Sequence, residues 1–302
     1  METDIRKQQH IVPKFYLEKF CDSRGLVSVY DITGHRFFCA SPDNICKEKN
    51  VYETVWRNAN PTFGEYVLRN SIEKAFSEKE AEYKDLLDSI IMRCQEPENR
   101  NSLICSKKEK NLLADFVTNL HLRNPYVFEY ILQKDYPIEE LRKIDLYSQT
   151  SSLFELMGWG CPDSLILHSV KTGLFDPAID RSPAHVTVNQ LLNMHPVFFA
   201  VQNYSFITSS RPVAWIFLRA EDDNTIANAV FIPLTPKLML MYTDVEYYRR
   251  QRNRVSALSD EMVKTFNQQF IIPKYVPVRF LIAQKKSDYD ILDLKNTCTQ
   301  DA

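Results

Sequence analysis

The spacing of the hydrophobic positions changes along the chain, and near the amino terminus it is typical of strands. Residues 26–32 and 35–40 are two runs rich in β-branched and aromatic residues, joined by Thr33 and Gly34. This pattern predicts a β-hairpin in which the glycine supplies the positive φ of a tight turn. Before it, Pro13 opens a short amphipathic stretch that predicts a helix with proline at its first position.

The middle of the chain has helical spacing instead. Residues 65–94 place apolar side chains at roughly helical intervals among many charges, which predicts one long amphipathic helix. Ser106 and Glu109 have the spacing of a capping box and predict the start of a second helix. That helix should end near Pro125, because proline disfavours helical geometry at the residue before it. Further helices with loops are expected over residues 137–175.

After His195 the pattern returns to short β-type runs separated by turn residues, which predicts a β-meander. Another helix is expected to follow Ser259, because this N-cap residue precedes two acidic residues in the first turn. A last strand should follow that helix. The predicted strands cover residues 197–201, 204–208, 213–219, 229–234, 238–242 and 276–283.

Strands therefore lie at both ends of the chain, with helices between them. We expect an α+β fold in which a mostly antiparallel sheet, built from N- and C-terminal strands, is covered by the central helices. Residues 1–284 are expected to form a single domain, with a helical subdomain over residues 61–195 as the alternative and residues 285–302 as a polar tail. The hairpin at residues 26–40 should pack near strands from residues 197–242, because neither group alone can bury both faces.

Composition narrows the classes of function. The 302 residues include 37 Lys and Arg against 39 Asp and Glu, a net charge of -2, which argues against coating nucleic acid or membranes by overall charge. Only six glycines occur, and neither glycine-rich phosphate-binding motif is present, so classical dinucleotide and P-loop sites are excluded. The seven cysteines contain no C-x-x-C, no signal peptide is evident, and no apolar run approaches the ~20 residues that span a bilayer. We expect a reduced, soluble, cytoplasmic protein with no membrane partner.

Several separated segments of the sequence resemble one known family. They are residues 9–20 (QHIVPKFYLEKF), 29–31 (VYD), 44–52 (NICKEKNVY), 122–125 (LRNP), 206–213 (FITSSRPV) and 232–236 (IPLTP), together with Glu65 and Glu73. The set resembles the bacterial domain-of-unknown-function family numbered 4238, except that the family pattern has aspartate where this chain has Ser210. The resemblance implies a bacterial intracellular protein, and a role in antiviral defence or as a toxin is a further hypothesis.

His10 and Arg123 are the first candidates for a catalytic site. An imidazole titrates near neutrality and can act as a general acid or base, but a histidine just before a helix can equally serve only to fix the amino terminus. Arg123 emerges beside the apolar stripe of its helix, so its guanidinium needs an acceptor. That acceptor would be a carboxylate, from Glu65 or Glu73, or a bound phosphate.

The two glutamates are eight residues apart in the predicted long helix, which is about 80° around the helix and ~12 Å along it. Glu65 and Glu73 would then line one groove without forming a tight pair, or belong to a solvated face. Tyr16, Ser209 and Ser210 are assigned supporting roles. No G-x-S-x-G surrounds the serines, so turn hydrogen bonds before Pro212 are expected of them rather than nucleophilic catalysis.

The best local signal for nucleic acid is the sequence YYRRQRNR at residues 247–254. Arginine binds phosphate in a bidentate manner and tyrosine can stack on bases; a solvated helix end is the alternative. The candidate contacts are Tyr247, Tyr248, Arg249, Arg250, Arg252 and Arg254.

These features lead to two hypotheses from different classes. The first is an enzyme-like effector acting on nucleic acid or a nucleotide, such as a nuclease-like hydrolase of defence or toxin type, with a divalent metal cofactor left open. Its catalytic residues would be His10, Glu65, Glu73 and Arg123. The second is a non-catalytic binding or sensor subunit of a multi-protein system, which recognises a partner, for example another protein, through the same groove. The serine at position 210 favours this hypothesis if the family aspartate is catalytic.

Overall fold

The computed structural model describes residues 8–56, 64–96, 102–135, 137–143, 145–157, 162–219, 226–270, 278–292 and 294. Its strands, in chain order, are β1 (Gln8–His10), β2 (Val27–Asp31), β3 (Arg36–Ala40), β4 (Lys47–Lys49), β5 (His195–Ala200), β6 (Thr208–Ser209), β7 (Ala214–Arg219), β8 (Ile226–Thr235), β9 (Leu238–Thr243), β10 (Val255–Ala257) and β11 (Phe280–Ala283).

Its α-helices are α1 (Lys14–Leu17), α2 (Ser71–Gln95), α3 (Lys107–Leu122), α4 (Pro125–Asp135), α5 (Ile138–Leu141), α6 (Asp145–Leu156), α7 (Asp163–Gly173), α8 (Pro183–Asn193) and α9 (Asp260–Gln268). Among the described residues, short 3-10 turns lie at Glu18–Phe20, Pro42–Asn44, Glu246–Gln251 and Lys286–Tyr289. No helix in the described ranges is long and apolar enough to cross a membrane.

The strands form a five-stranded sheet in the order β10-β5-β9-β8-β7, a four-stranded sheet in the order β3-β2-β11-β6, and the ribbon β1-β4. All pairings are antiparallel except that of β10 with β5. In the four-stranded sheet the N-terminal hairpin pairs with the last strand, where Asp31 faces Phe280 and Ser28 faces Ala283. The α+β class and its antiparallel sheets from both chain ends are confirmed.

The five-stranded sheet is buried on both faces, which explains why its strands are apolar at nearly every position. Along β8, Val230 and Ile232 belong to one hydrophobic cluster, whereas Ala229 and Phe231 belong to the other. The first cluster also contains residues of α2, α3 and the N-terminal hairpin, and the second contains α9. The central helices and the hairpin therefore pack with the C-terminal strands, as expected.

The hairpin turn differs from the prediction in one detail. Gly34 is not the residue with positive φ, because His35 takes that conformation with φ 46°. Instead, Gly34 donates its N–H to Asp31 Oδ1, and a Cβ at this position would lie 3.0 Å from Asp31 Oδ2. The glycine is needed for close approach to a carboxylate rather than for backbone handedness.

The long helix begins later than the sequence pattern indicates. Leu68 and Asn70 have positive φ values of 42° and 60°, which a right-handed helix cannot contain, and α2 therefore starts at Ser71. The helix after Ser106 is confirmed with both hydrogen bonds of its capping box, and Pro125 opens α4 immediately afterwards. Of the predicted strand at 204–208, only Thr208 is in a strand, and β10 was not predicted.

The described start of the segment expected as a polar tail, residues 285–292, contributes a core side chain. Tyr289 in the last 3-10 turn is only 2% exposed, and its hydroxyl donates to the carbonyl oxygens of Ser28 (2.7 Å) and Leu281 (2.9 Å). These bonds attach the chain after residue 285 to β2 and β11. A buried phenol with its hydroxyl satisfied stabilises the four-stranded sheet from one end.

Candidate functional site

Arg123, the last residue before the turn into α4, is completely buried. Its Nη1 donates to Glu80 Oε1 at 2.8 Å, and its guanidinium carbon lies 4.2 Å from the ring centroid of Phe76. The hydroxyl of Tyr52 donates to its carbonyl oxygen at 2.8 Å. The acceptor that the sequence predicted is therefore present, but it is Glu80, a residue that the sequence analysis did not consider.

Glu65 and Glu73 do not share a helix, so the geometry expected for them is wrong. Glu65 precedes α2, is exposed, and accepts the Trp56 N–H through its backbone carbonyl. Glu73 lies in the first turn of α2 and is 6% exposed. An acidic residue in that turn is stabilised by the helix dipole, which gives Glu73 a structural role without any ligand.

A buried polar network surrounds the start of α2. Gln9 Nε2 donates to Glu53 Oε1 at 2.6 Å, and the Asn70 N–H donates to the same carboxylate. Lys171 Nζ donates to the carbonyl oxygen of Glu53 at 3.2 Å, and burial lowers the pKa of this lysine. These bonds are made within the fold, but not every buried polar group among the candidate residues is satisfied: Nε and Nη2 of Arg123 and Nε2 of His10 are buried without a hydrogen-bond partner among the described residues.

His10 is half-buried at the end of β1, where it pairs with Lys47 of β4. Burial is the main cause that lowers its pKa to about 4, followed by the positive charges of Lys47 and Arg123. At pH 7 only about one molecule in a thousand would carry the proton, whereas an efficient general acid has a pKa near the working pH. His10 is thus poorly suited to the acid–base role that the sequence allowed.

Tyr16, Ser209 and Ser210 form hydrogen bonds with backbone groups, and those of Tyr16 and Ser210 join segments that are distant in sequence. The hydroxyl of Tyr16 donates to the carbonyl oxygen of Pro233 at 2.6 Å and contacts Thr208 Oγ1 at 2.8 Å. Ser209 Oγ forms turn hydrogen bonds with the backbone of Arg211. Ser210 Oγ accepts the N–H groups of Arg279 and Phe280 at 3.0 and 3.3 Å.

The second candidate region is residues 246–254, which we call the arginine segment. It consists of the 3-10 turn Glu246–Gln251 and the residues that lead into β10. The side chains of Arg249, Arg250, Arg252 and Arg254 are all exposed. Arg249 forms an exposed ion pair with Glu246 at 3.0 Å, which contributes little to stability.

The two tyrosines of this segment are not a confirmed stacking platform. Tyr248 is half-buried and packs edge-on against Phe199, with 5.9 Å between ring centroids. That contact uses the ring to fix the segment on β5. The side chain of Tyr247 lies outside the described part of the structure.

Asn253 fixes the arginine segment from within. It is 1% exposed, and its left-handed backbone (φ 55°) is a conformation that asparagine tolerates better than most residues. Its side-chain amide accepts the Cys105 N–H at 2.9 Å and donates to the Cys105 carbonyl at 2.7 Å. The backbone carbonyl of Asn253 also accepts the Ile104 N–H at 3.0 Å. Arg252 and Arg254 are the sequence neighbours of this buried residue, so its hydrogen bonds fix the backbone of both arginines.

This anchor brings a second group of cations to the arginine segment. Lys107 and Lys108 follow Cys105 by two and three residues, and both are exposed in the first turn of α3. On the other side, burial and then the charges of Arg252 and Arg249 lower the pKa of His195. The cations of the arginine segment therefore act on the edge of the five-stranded sheet, where the carboxylates of Glu246 and Asp244 partly oppose them.

Residues 8–287 match a family model described as Protein of unknown function (DUF4238). The chain belongs to this family. Comparisons with curated proteins and with solved structures found no match. All candidate residues from His10 to Arg254 lie inside the matched DUF4238 region, so the family assignment covers both candidate regions without choosing between them.

Two important residues of this DUF4238 protein were not identified from the sequence. Glu80 is one of many charged residues in a long helix, and nothing in its neighbourhood marks it as the partner of Arg123. Asn253 lies inside a run of arginines, and an asparagine there signals only a turn.

Within the described ranges, no group of three or more His, Cys, Asp or Glu side chains is placed to hold a metal ion.

Proposed function

We propose that this protein binds the phosphate backbone of nucleic acid through the arginine segment and the adjoining lysines of α3. The observation that supports this most strongly is the Asn253 anchor, which holds four exposed arginines on a fixed backbone. The proposed contacts are Arg249, Arg250, Arg252, Arg254, Lys107 and Lys108.

A fixed backbone matters because binding is opposed by the ordering of mobile groups. The hydrogen bonds from Asn253 to Cys105 and Ile104 order the segment before any ligand arrives. Arginine then provides planar, bidentate donors for phosphate oxygens. Only side-chain freedom remains to be lost when the arginines contact a strand.

The near-neutral overall charge fits a local rather than a global mode of binding. With a net charge of -2 the rest of the surface does not attract polyanions, so affinity would come from the local cluster of cations. Phosphate contacts position a protein but carry no sequence information by themselves. Because the ring of Tyr248 already packs on Phe199, we expect little preference for particular bases.

Binding is favoured over hydrolysis as the proposed activity. His10 has its pKa lowered to about 4, Arg123 is completely buried, and Glu65 lies outside the helix of Glu73. These residues do not present an open acid, base and cation to a scissile bond. The proposed function therefore combines the nucleic-acid ligand of the first hypothesis with the non-catalytic role of the second, and it uses the arginine segment instead of the groove that either hypothesis assumed.

The test is a titration of the full-length protein into labelled single-stranded RNA, single-stranded DNA and duplex DNA at low salt, followed by fluorescence anisotropy. Each mixture is also incubated with and without Mg²⁺ or Mn²⁺ and analysed on a denaturing gel. Binding with intact strands supports the proposal. Metal-dependent shortening of the strands would instead establish a nuclease, and no anisotropy change with any of the three would overturn nucleic-acid binding.

A further inference from the structure

A separate cavity of about 170 Å³ lies between the β1-β4 ribbon, the start of α4 and the start of β11. It is smaller than the roughly 300–1,000 Å³ of sites that enclose a drug-sized ligand, so it can hold only part of such a molecule. Its polar and aromatic lining includes Lys47, Glu48, Asn124, Tyr126, Ser210 and Arg279.

Two cations of this pocket have no acidic partner. Neither Lys47 nor Arg279 forms an ion pair with any residue in the described ranges. Arg279 is held by a cation–π contact, with its guanidinium carbon 4.7 Å from the ring centroid of Phe280. Glu48 is the one carboxylate in the lining, and it is exposed. Cations without partners in a concave site favour an anionic ligand.

Two buried polar side chains supply further donors. Asn124 is 5% exposed, and its Oδ1 accepts the Tyr126 N–H at 3.1 Å, which leaves Nδ2 as the donor end of the amide. Ser210 is 6% exposed, and its oxygen accepts two backbone N–H groups, which leaves the hydroxyl proton to donate. Both side chains are thus oriented by bonds that keep a donor available.

Tyr126 gives the pocket an aromatic rim. Its side chain is 55% exposed although it lines the cavity, so one part of the ring is free to contact a ligand. A flat group resting on this ring would be stabilised by stacking, as bases are on aromatic side chains.

We propose that this pocket binds a nucleoside monophosphate. Its phosphate lies between Lys47 and Arg279 and accepts hydrogen bonds from Asn124 and Ser210. Its base projects out of the small cavity and stacks on Tyr126. The phosphate of this ligand would neutralise Lys47 and Arg279. Its ribose and base are larger than the remaining space in the cavity, so the base extends out to Tyr126. The site is independent of the arginine segment.

Isothermal titration calorimetry of the full chain with AMP, CMP, adenosine and inorganic phosphate tests the proposal. We expect AMP and CMP to bind, phosphate to bind more weakly, and adenosine to bind at least tenfold more weakly than AMP. Lys47→Met should weaken AMP binding at least tenfold, whereas Lys49→Met, on the same strand but outside the pocket, should leave it unchanged. Ser210→Asp, which can still accept the two N–H groups but adds a negative charge, should also abolish binding.

Three results would overturn the proposal. They are no heat with AMP at millimolar concentration, equal affinity for adenosine and AMP, or full AMP affinity in folded Lys47→Met. Should Ser210→Asp fail to fold, the comparison of the two lysine variants still decides. Arg250→Gln/Arg252→Gln serves as the second control, because it should retain AMP binding while losing affinity for nucleic acid.

Discussion

The side-chain amide of Asn253 exchanges two hydrogen bonds with the backbone of Cys105, a residue 148 positions earlier in the sequence. This contact ties the arginine segment at the edge of the five-stranded sheet to the start of α3. It converts a local run of arginines into part of a larger basic surface. Cys105 is buried, and the Asn253 side chain bonds both its backbone N–H and its backbone C=O.

The first prediction concerns this anchor. Asn253→Gly keeps the left-handed backbone but leaves the N–H and C=O of Cys105 without their partner, and each such loss costs about 1–3 kcal/mol. We expect a loss of at least ~2 kcal/mol in the free energy of unfolding, measured by urea denaturation. Asn253→Ala should lose about 1–2 kcal/mol more, because its Cβ disfavours positive φ. Asn44→Ala, at an exposed position, is the control, and an equal effect there would contradict the assignment.

The second prediction concerns the pair of Arg123 and Glu80. Glu80→Gln keeps an oxygen acceptor but removes the charge opposite a completely buried guanidinium. Because the glutamate side chain is 29% exposed, we expect a moderate loss of about 1–2 kcal/mol in unfolding free energy rather than that of a fully buried pair. The control is Glu78→Gln, on the exposed face of the same helix. Identical stability of the two variants would show that Arg123 does not depend on Glu80.

The third prediction concerns pH. Burial is the main cause that lowers the pKa values of His10 and His121 to about 4, with Lys47 and Arg211 as the next contributors for each. Above pH 6.5 both are neutral in the folded and unfolded states; between pH 6.5 and 4 only the unfolded state takes up their protons. Stability should therefore fall as the pH falls through this window, by up to ~1.4 kcal/mol per pH unit for each histidine.

Urea unfolding at several pH values between 4.5 and 7.5 measures this slope. His121→Gln should make the free energy of unfolding depend less on pH, because the unfolded state then takes up one proton fewer. Asn44→Gln, at an exposed position without a titrating side chain, should leave the slope as in the parent protein. A flat stability profile across the window would mean that these histidines titrate normally in the fold.

The sequence predicted what depends on local chemistry and on spacing. The capping box of Ser106 and Glu109 needs only two side chains and their own backbone, and it occurs as expected. The start of α2 could not be placed correctly, because the apolar pattern continues through residues whose backbone has positive φ. The sequence predicted the turn at Gly34 correctly. A glycine is needed there because the Asp31 carboxylate lies too close for a Cβ, and turn preferences alone do not show that contact.

The candidate sites were predictable only as residue types. The need of Arg123 for an acceptor follows from its place beside the apolar stripe of α3, but the identity of that acceptor depends on how two helices pack. Likewise, a run of arginines is visible in the sequence, while the anchor by Asn253 depends on a contact between distant segments. Such long-range contacts depend on tertiary packing, which cannot be predicted from composition or hydrophobic periodicity.

The salt dependence of nucleic-acid binding tests the central claim most directly. Each phosphate contact releases counterions and adds about 0.7 units to the slope of log affinity against log salt on single strands, or about 0.9 on duplex DNA. We predict that Arg250→Gln/Arg252→Gln flattens the slope by about 1.4 to 1.8 units. Arg24→Gln/Arg181→Gln, which makes the same change in net charge at two exposed arginines elsewhere, should leave it unchanged. Equal slopes for the parent protein and both double variants would contradict a phosphate-binding arginine segment.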